Sequence, residues 1–163
     1  MSRIFTDTRN HVSAAAVAGT TSTFTSTVTT AGVINGKFVT TLGAQTNAAS
    51  PTTDTNTGAA FNALSANKAC TLVFGQNAAG TLKLVQGPIV DTFTGVTTTV
   101  GAFKDVPNFP PLPDDFMPLA YTVVRTAPDA ASWIPGTGSW TASGVSATTF
   151  KNVATLPNRP QIA

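Results

Sequence analysis

The sequence contains no glutamate: all seven acidic residues are aspartate, set against nine lysines and arginines. Glutamate is a standard solvent-face residue of globular helices. Its absence argues against long amphipathic helices and leaves a fold that must keep its surface wet by other means. Threonine supplies that surface, at roughly a sixth to a fifth of the chain, well above ordinary usage. Its branched Cβ costs little on a pleated sheet, and its hydroxyl hydrates an exposed face without charge. Charged residues make up 10% of the chain, against about 25% in typical soluble domains. The expectation is a β-rich body of low charge, and 163 residues are enough for one core but too few for two large domains.

Turn signals recur at strand-length intervals. "VINGKFVTTL" sets Asn35-Gly36 between two β-branched runs, and Asn-Gly favours the tight turn in which both central residues have positive φ. "CTLVFG" (70 to 75), "QNAAG" and "TLKLVQG" (81 to 87) read as a second hairpin, with Leu72 and Phe74 alternating on one strand and Leu82 and Leu84 on the other. "AFNAL", "PIVDTF" (88 to 93), "LAYTVVRTA" (119 to 127), "GSWTASGVS" and "TTFKNVATL" supply further strands. Such a series argues for an all-β antiparallel sandwich or jelly roll, and the lack of βαβ alternation disfavours a parallel α/β fold. Three regions follow: an N-terminal arm and linker (1–30), a β-sandwich domain (31–155) and an extended C-terminal tail (156–163). The arm is expected to hold one short helix over Asp7 to Gly19, capped by Asp7 or Thr8 and stopped by Gly19. Pro157 and Pro160 keep the tail extended and out of any central strand. The N-terminus lacks the apolar core of a signal peptide, and "SAAAVAG" is too short to span a membrane.

Residues able to do chemistry are few. His11 is the one histidine, beside an end of the chain, and any Ser/His/Asp arrangement or histidine-anchored zinc site would have to use it. Cys70 is the one cysteine, so no internal disulfide and no cysteine metal cluster can form, and its strand setting suits a small buried hydrophobe. Asp114 and Asp115 lie in "FPPLPDDFMPLAYTVV". Adjacent side chains of an extended run point to opposite sides, so the two carboxylates do not converge as a glycosidase or aspartic protease requires. "LPDDF" reads instead as a turn that delivers Phe116 to the core and starts the next strand. "GQNAAG" and "GTGSW" lack the lysine and the strand-to-helix setting of phosphate-binding loops. The cations are scattered singly, which disfavours nucleic acid. Trp133 and Trp140 flank "IPGTGS" and either close that turn or, together with Tyr121, form the stacking face of a carbohydrate-binding module. No enzyme, cofactor or metal is expected, and no small-molecule substrate.

The run "NGKFVTTLGAQTNAASPTTDTNTGAAFNALSANKACTLVFGQNAAGTLKLVQG", the segment "FPPLPDDFMPLAYTVV", the later "GTGSWTASGVSATTF" and the ending "ATLPNRPQ" resemble small virion structural proteins of tailed bacteriophages. The likeness is to head decoration, or capsid cement, proteins, and it covers about residues 33 to 160 through segment order and composition. The resemblance implies a sandwich or jelly-roll module, usually a homotrimer, made in the bacterial host cytoplasm and placed on the outer capsid surface. There it would bind the major capsid protein and clamp neighbouring subunits. The contacts are expected in the arm, at Ile4, Phe5 and Val12, and in the tail, at Leu156, Arg159 and Ile162. A phage tail, baseplate or fibre-associated protein is the alternative of the same class.

Overall fold

The computed structural model describes residues 9–10, 16–18 and 23–162. Its strands are β1 (Arg9–Asn10), β2 (Ala16–Ala18), β3 (Thr23–Ser26), β4 (Gly32–Ile34), β5 (Lys37–Phe38), β6 (Gln45–Ala49), β7 (Lys68–Gln76), β8 (Leu82–Gln86), β9 (Val90–Asp91), β10 (Met117–Thr126), β11 (Val145–Ala147) and β12 (Lys151–Asn152). Among the described residues there is no helix, and every strand pairing is antiparallel. Three sheets result, of order β1-β4-β5, β2-β3-β6 and β11-β10-β7-β8, with β9 added to β7 and β12 to β10 in the last. None closes into a barrel.

The helix expected over Asp7 to Gly19 is not formed by the described part of that segment. Arg9–Asn10 pairs with β4 and Ala16–Ala18 with β3. A lone helical stretch of alanine and valine pays the full nucleation cost for few tertiary contacts, whereas the open edges of β3 and β4 offer ready backbone partners. Ile4, Phe5, His11 and Val12 lie outside the described residues.

The central sheet is organised by its two longest strands, β7 and β10, which pair from Ala69↔Arg125 to Met117↔Gln76 with a bulge between Pro118 and Ala120. Both are buried on both faces, which explains why "ACTLVFG" and "LAYTVV" read as near-continuous apolar runs rather than as clean alternation. One face carries Cys70, Leu72, Phe74, Leu84, Ala120 and Val124, covered by Phe24, Phe61, Leu64, Trp133 and Trp140. Phe24 of β3 stacks on Phe74 with ring centroids 4.9 Å apart, so the β2-β3-β6 sheet is tied to this face. The other face carries Val73, Val85 and Tyr121, joined by Phe116 and covered by Phe109, Leu112, Val153 and Leu156. A smaller cluster, Ile34 with Met117 and Leu119, lies under the β4-β5 hairpin.

Both hairpins foreseen in the sequence are present. Asn35 and Gly36 take φ of 50° and 77°, the geometry that makes Asn-Gly the preferred pair for a two-residue turn. In the β7-β8 hairpin Phe74 faces Leu84 and Gln76 faces Leu82. The later strands are shorter than expected. "PIVDTF" yields β9 and an isolated bridge from Thr92 to Phe103, "AFNAL" isolated bridges from Ala60 to Thr53 and from Leu64 to Trp133, "GSWTASGVS" β11 and "TTFKNVATL" β12. Side chains take over where the ladder stops. Thr122 Oγ1 donates to Thr148 O at 2.8 Å while Val123 N donates to Thr148 Oγ1 at 3.0 Å. Thr126 Oγ1 donates to Ser65 O at 2.6 Å and accepts from Lys68 N at 3.0 Å. Threonine therefore serves as an internal connector as well as a hydrating surface.

Candidate functional site

Three turns converge at one end of the central sheet, and local chemistry locks them together. Asp114 and Asp115 form a turn with both side chains exposed, and β10 begins two residues later at Met117. Phe116, between them, is buried, as the reading of "LPDDF" required. Its ring lies against Gly75, where a Cβ would overlap it. Asp115 Oδ1 accepts a hydrogen bond from Ala78 N at 2.8 Å, in the β7-β8 turn. Ala78 O in turn accepts from Thr40 N at 3.0 Å, just beyond β5, and Asn35 Nδ2 donates to Asp114 O at 3.4 Å. Behind these turns the fully buried Gln76 bonds to the Thr30 hydroxyl and donates to Thr40 O at 2.9 Å. Asp115 thus acts as a structural clamp through its carboxylate, and Asp114 joins the junction through its backbone carbonyl.

This rigid end leaves an apolar slot of about 280 Å³. It is lined by Leu112, Pro113, Leu156 and the buried Phe116 and Pro118, together with Thr155 and the exposed Asn35 and Asp114. Phe38, on the same hairpin as Asn35, is 89% exposed.

The C-terminal segment crosses the second face of the sheet. Val153 N donates to Leu119 O at 3.0 Å, Leu156 is half-buried against the cluster of Val73 and Tyr121, Pro160 is buried, and Gln161 N donates to the Tyr121 hydroxyl at 3.0 Å. The tail is extended and outside the sheet, but it is docked rather than free. Of the residues expected to make contacts, Leu156 spends much of its apolar surface internally, whereas Arg159 and Ile162 are exposed. Those two line an open groove of about 620 Å³ together with Val106, Pro157 and Pro160.

Several other chemical groups are structurally committed. Cys70 is fully buried, and desolvation pushes its thiol up to about 12 despite a hydrogen bond from Gln86, so it is inert. The Lys68 ammonium bonds to Asp91 and lowers the pKa of that carboxyl. Arg125 lies over Phe103, 4.9 Å from the ring centroid, and donates to Gly101 O at 3.2 Å. Among the described residues no three histidine, cysteine or acidic side chains gather as metal ligands, and no helix is long and apolar enough to cross a membrane.

The two tryptophans are core residues. Both are buried, their ring centroids lie 5.2 Å apart, and their indole N–H groups donate to Ser139 O at 2.9 Å and Thr23 O at 3.0 Å. Tyr121 belongs to the opposite face of the sheet. The exposed aromatic face that a carbohydrate-binding reading needs from these three residues is not there.

What the sequence reading missed is the exposed apolar set: Phe38, Phe93, Val96 and Val106. A signal was available for Phe38. It pairs with Val33 across the hairpin, away from the buried Ile34, an alternation implicit in "VINGKF". Phe93 and Val96 sit in a loop closed by bonds from Phe93 N to Ala102 O at 2.8 Å and between Val96 and Thr99, which no periodicity announces. Comparison of the chain with protein-family models, with curated proteins and with solved structures finds no match.

Proposed function

We propose that this chain is a non-enzymatic structural protein of a tailed-phage virion, a capsid decoration protein. It would bind the major capsid protein on the outside of the head and stabilise contacts between neighbouring subunits. The fold assigned with this reading is a jelly-roll-like sandwich, in which the β2-β3-β6 sheet forms a second layer through Phe24 on Phe74, and the assembled form is a homotrimer. The observation that carries the proposal is the distribution of exposed apolar side chains. Phe38, Phe93, Val96, Val106 and Ile162 project from a hairpin, a loop and the tail of a body with few charges. Protein interfaces are built from aromatic and aliphatic anchors with charge depleted at their centre, and apolar groups spread over several projections suit simultaneous contact with more than one subunit. The segment order that resembles head decoration proteins supplies the virion context.

The test is to mix the purified chain with heads that lack it and to measure co-sedimentation. Saturation at a number commensurate with the capsid lattice, together with a raised disruption temperature of the heads, supports the proposal. Loss of binding on deleting residues 1 to 20, or on truncating after Leu156, assigns the contacts to the arm or the tail. Absence of binding by the full chain contradicts the proposal.

A further inference from the structure

Asn35 is the one asparagine of the chain that is followed by glycine. The ladder pairs Ile34 with Lys37, so Asn35 and Gly36 are the two loop residues of the hairpin, both exposed, and the Gly36 N–H lies outside the strand pairing. Gly36 has no Cβ to screen that nitrogen. The neighbouring Asn35 carboxamide reaches away from the hairpin, its Nδ2 donating to Asp114 O at 3.4 Å. β5 is only two residues long and exposed. The tip is tied down by Ile34 against Met117 and Leu119, by the Asn35–Asp114 contact and, further along, by Thr40 N on Ala78 O. A short strand held in this way opens locally at much lower cost than the long, buried β7 and β10.

We propose that Asn35-Gly36 is a self-modification site whose reaction unfastens the β4-β5 hairpin from the start of β10. Gly36 N, its proton lost to hydroxide, attacks Asn35 Cγ. The N–Cγ bond forms, the Cγ–Nδ2 bond breaks, and Nδ2 takes up a proton and leaves as ammonia. Water then opens the five-membered succinimide at either of its carbonyls and leaves aspartate or isoaspartate at position 35. The closed turn, with φ of 50° and 77° at the two residues, has to loosen so that the Asn35–Gly36 peptide can rotate toward the side chain. The rate therefore follows the restraints beneath the hairpin, Ile34 first among them. Either product sets a carboxylate where a donor faced Asp114 O, so two acceptors oppose each other and the contact is lost. Isoaspartate goes further: the main chain now runs through the former side chain, is one atom longer, and no longer fits the two-residue turn that sets the Ile34–Lys37 register. The reaction involves no partner and stands apart from the virion reading.

The test is to age the purified full chain in mildly alkaline buffer at physiological temperature and to map its peptides by mass spectrometry, with electron-transfer fragmentation to tell isoaspartate from aspartate. The peptide holding Asn35 is expected to convert amide to acid about tenfold faster than those holding Asn47, Asn62 and Asn77, whose next residue is alanine, because only glycine leaves the attacking nitrogen unscreened. Ile34→Val thins the anchor under the hairpin and speeds conversion about threefold or more. The aged fraction, separated by its added negative charge, is then examined by amide exchange. Thr40 N–H exchanges about tenfold faster or more, while Leu72 and Val123 in the central strands keep the parent's protection. Conversion at position 35 no faster than at the other three sites, aspartate without isoaspartate, an Ile34→Val chain that ages at the parent's rate, or an aged chain with unchanged exchange at Thr40 overturns the proposal.

Discussion

Trp140 joins two sheets, and its replacement measures that junction. The ring is 5% exposed and meets Trp133, Phe150 and Phe74 at centroid distances of 5.2, 5.7 and 6.3 Å. Its N–H donates to Thr23 O at 3.0 Å, at the start of β3. Truncating a buried tryptophan to alanine costs about 3–5 kcal/mol through lost transfer energy and a residual cavity. That is a large part of the roughly 5–15 kcal/mol by which a domain is usually stable. Trp140→Phe keeps most of the ring contacts and removes the donor. The expected loss is about 1–2 kcal/mol, from an unpaired Thr23 carbonyl and a smaller ring. Urea denaturation monitored by the fluorescence of Trp133 and by circular dichroism reads both values. The midpoint falls strongly for alanine and modestly for phenylalanine, with the slope unchanged. Amide exchange at Thr23–Ser26 accelerates in the alanine variant, because the junction to β3 is gone. A cost below about 1 kcal/mol for Trp140→Ala would refute the reasoning, since nothing fully packed in a core of this kind yields so little.

Further outcomes follow from other parts of the fold. Cys70 holds its proton up to about 12 when folded and releases it near the ordinary thiol value when unfolded, so stability drains away as pH rises between those values, by about 1.4 kcal/mol per pH unit; the stability gap between the parent and Cys70→Ala therefore shrinks by that slope in alkaline denaturation series. Gly75→Ala brings a Cβ against the Phe116 ring and to 2.5 Å from Met117 O, and calorimetry should show a destabilisation of about 1–3 kcal/mol or more from overpacking. Tyr121→Phe removes the acceptor for Gln161 N at a cost of about 1 kcal/mol, and it exposes residues 157–162 to carboxypeptidase while the body stays folded.

The parts of the fold legible in the sequence were those whose cause is local. Asn35-Gly36 dictates its own turn, the alternation of Leu72 with Phe74 and of Leu82 with Leu84 sets the register of a hairpin, and Pro113 with Asp114 and Asp115 stops one segment and starts another. The helix over Asp7 to Gly19 was misread because alanine favours helix locally, whereas the described pieces, Arg9–Asn10 and Ala16–Ala18, pair with the edges of β4 and β3, which is distant information. The short later strands were overdrawn for a related reason, since the Thr148 hydroxyl satisfies Val123 N of β10, a backbone group that a ladder would otherwise hold. The exposure of Arg159 and Ile162 was legible from the extended, proline-bound tail. The slot was not, because it joins Leu112, Pro118 and Leu156 from segments that meet only in the fold. Asp114 reads in the sequence as part of a turn, and its place beside the slot depends on Asn35, far away in sequence.

The most direct measurement is the number of copies of this chain per purified phage particle, by quantitative mass spectrometry against the major capsid protein. Decoration of the head predicts a count on the order of hundreds, following the icosahedral lattice. A count of about three to a few dozen would place the chain on the tail or at the unique vertex and contradict the head assignment, and its absence from particles would contradict a virion role altogether.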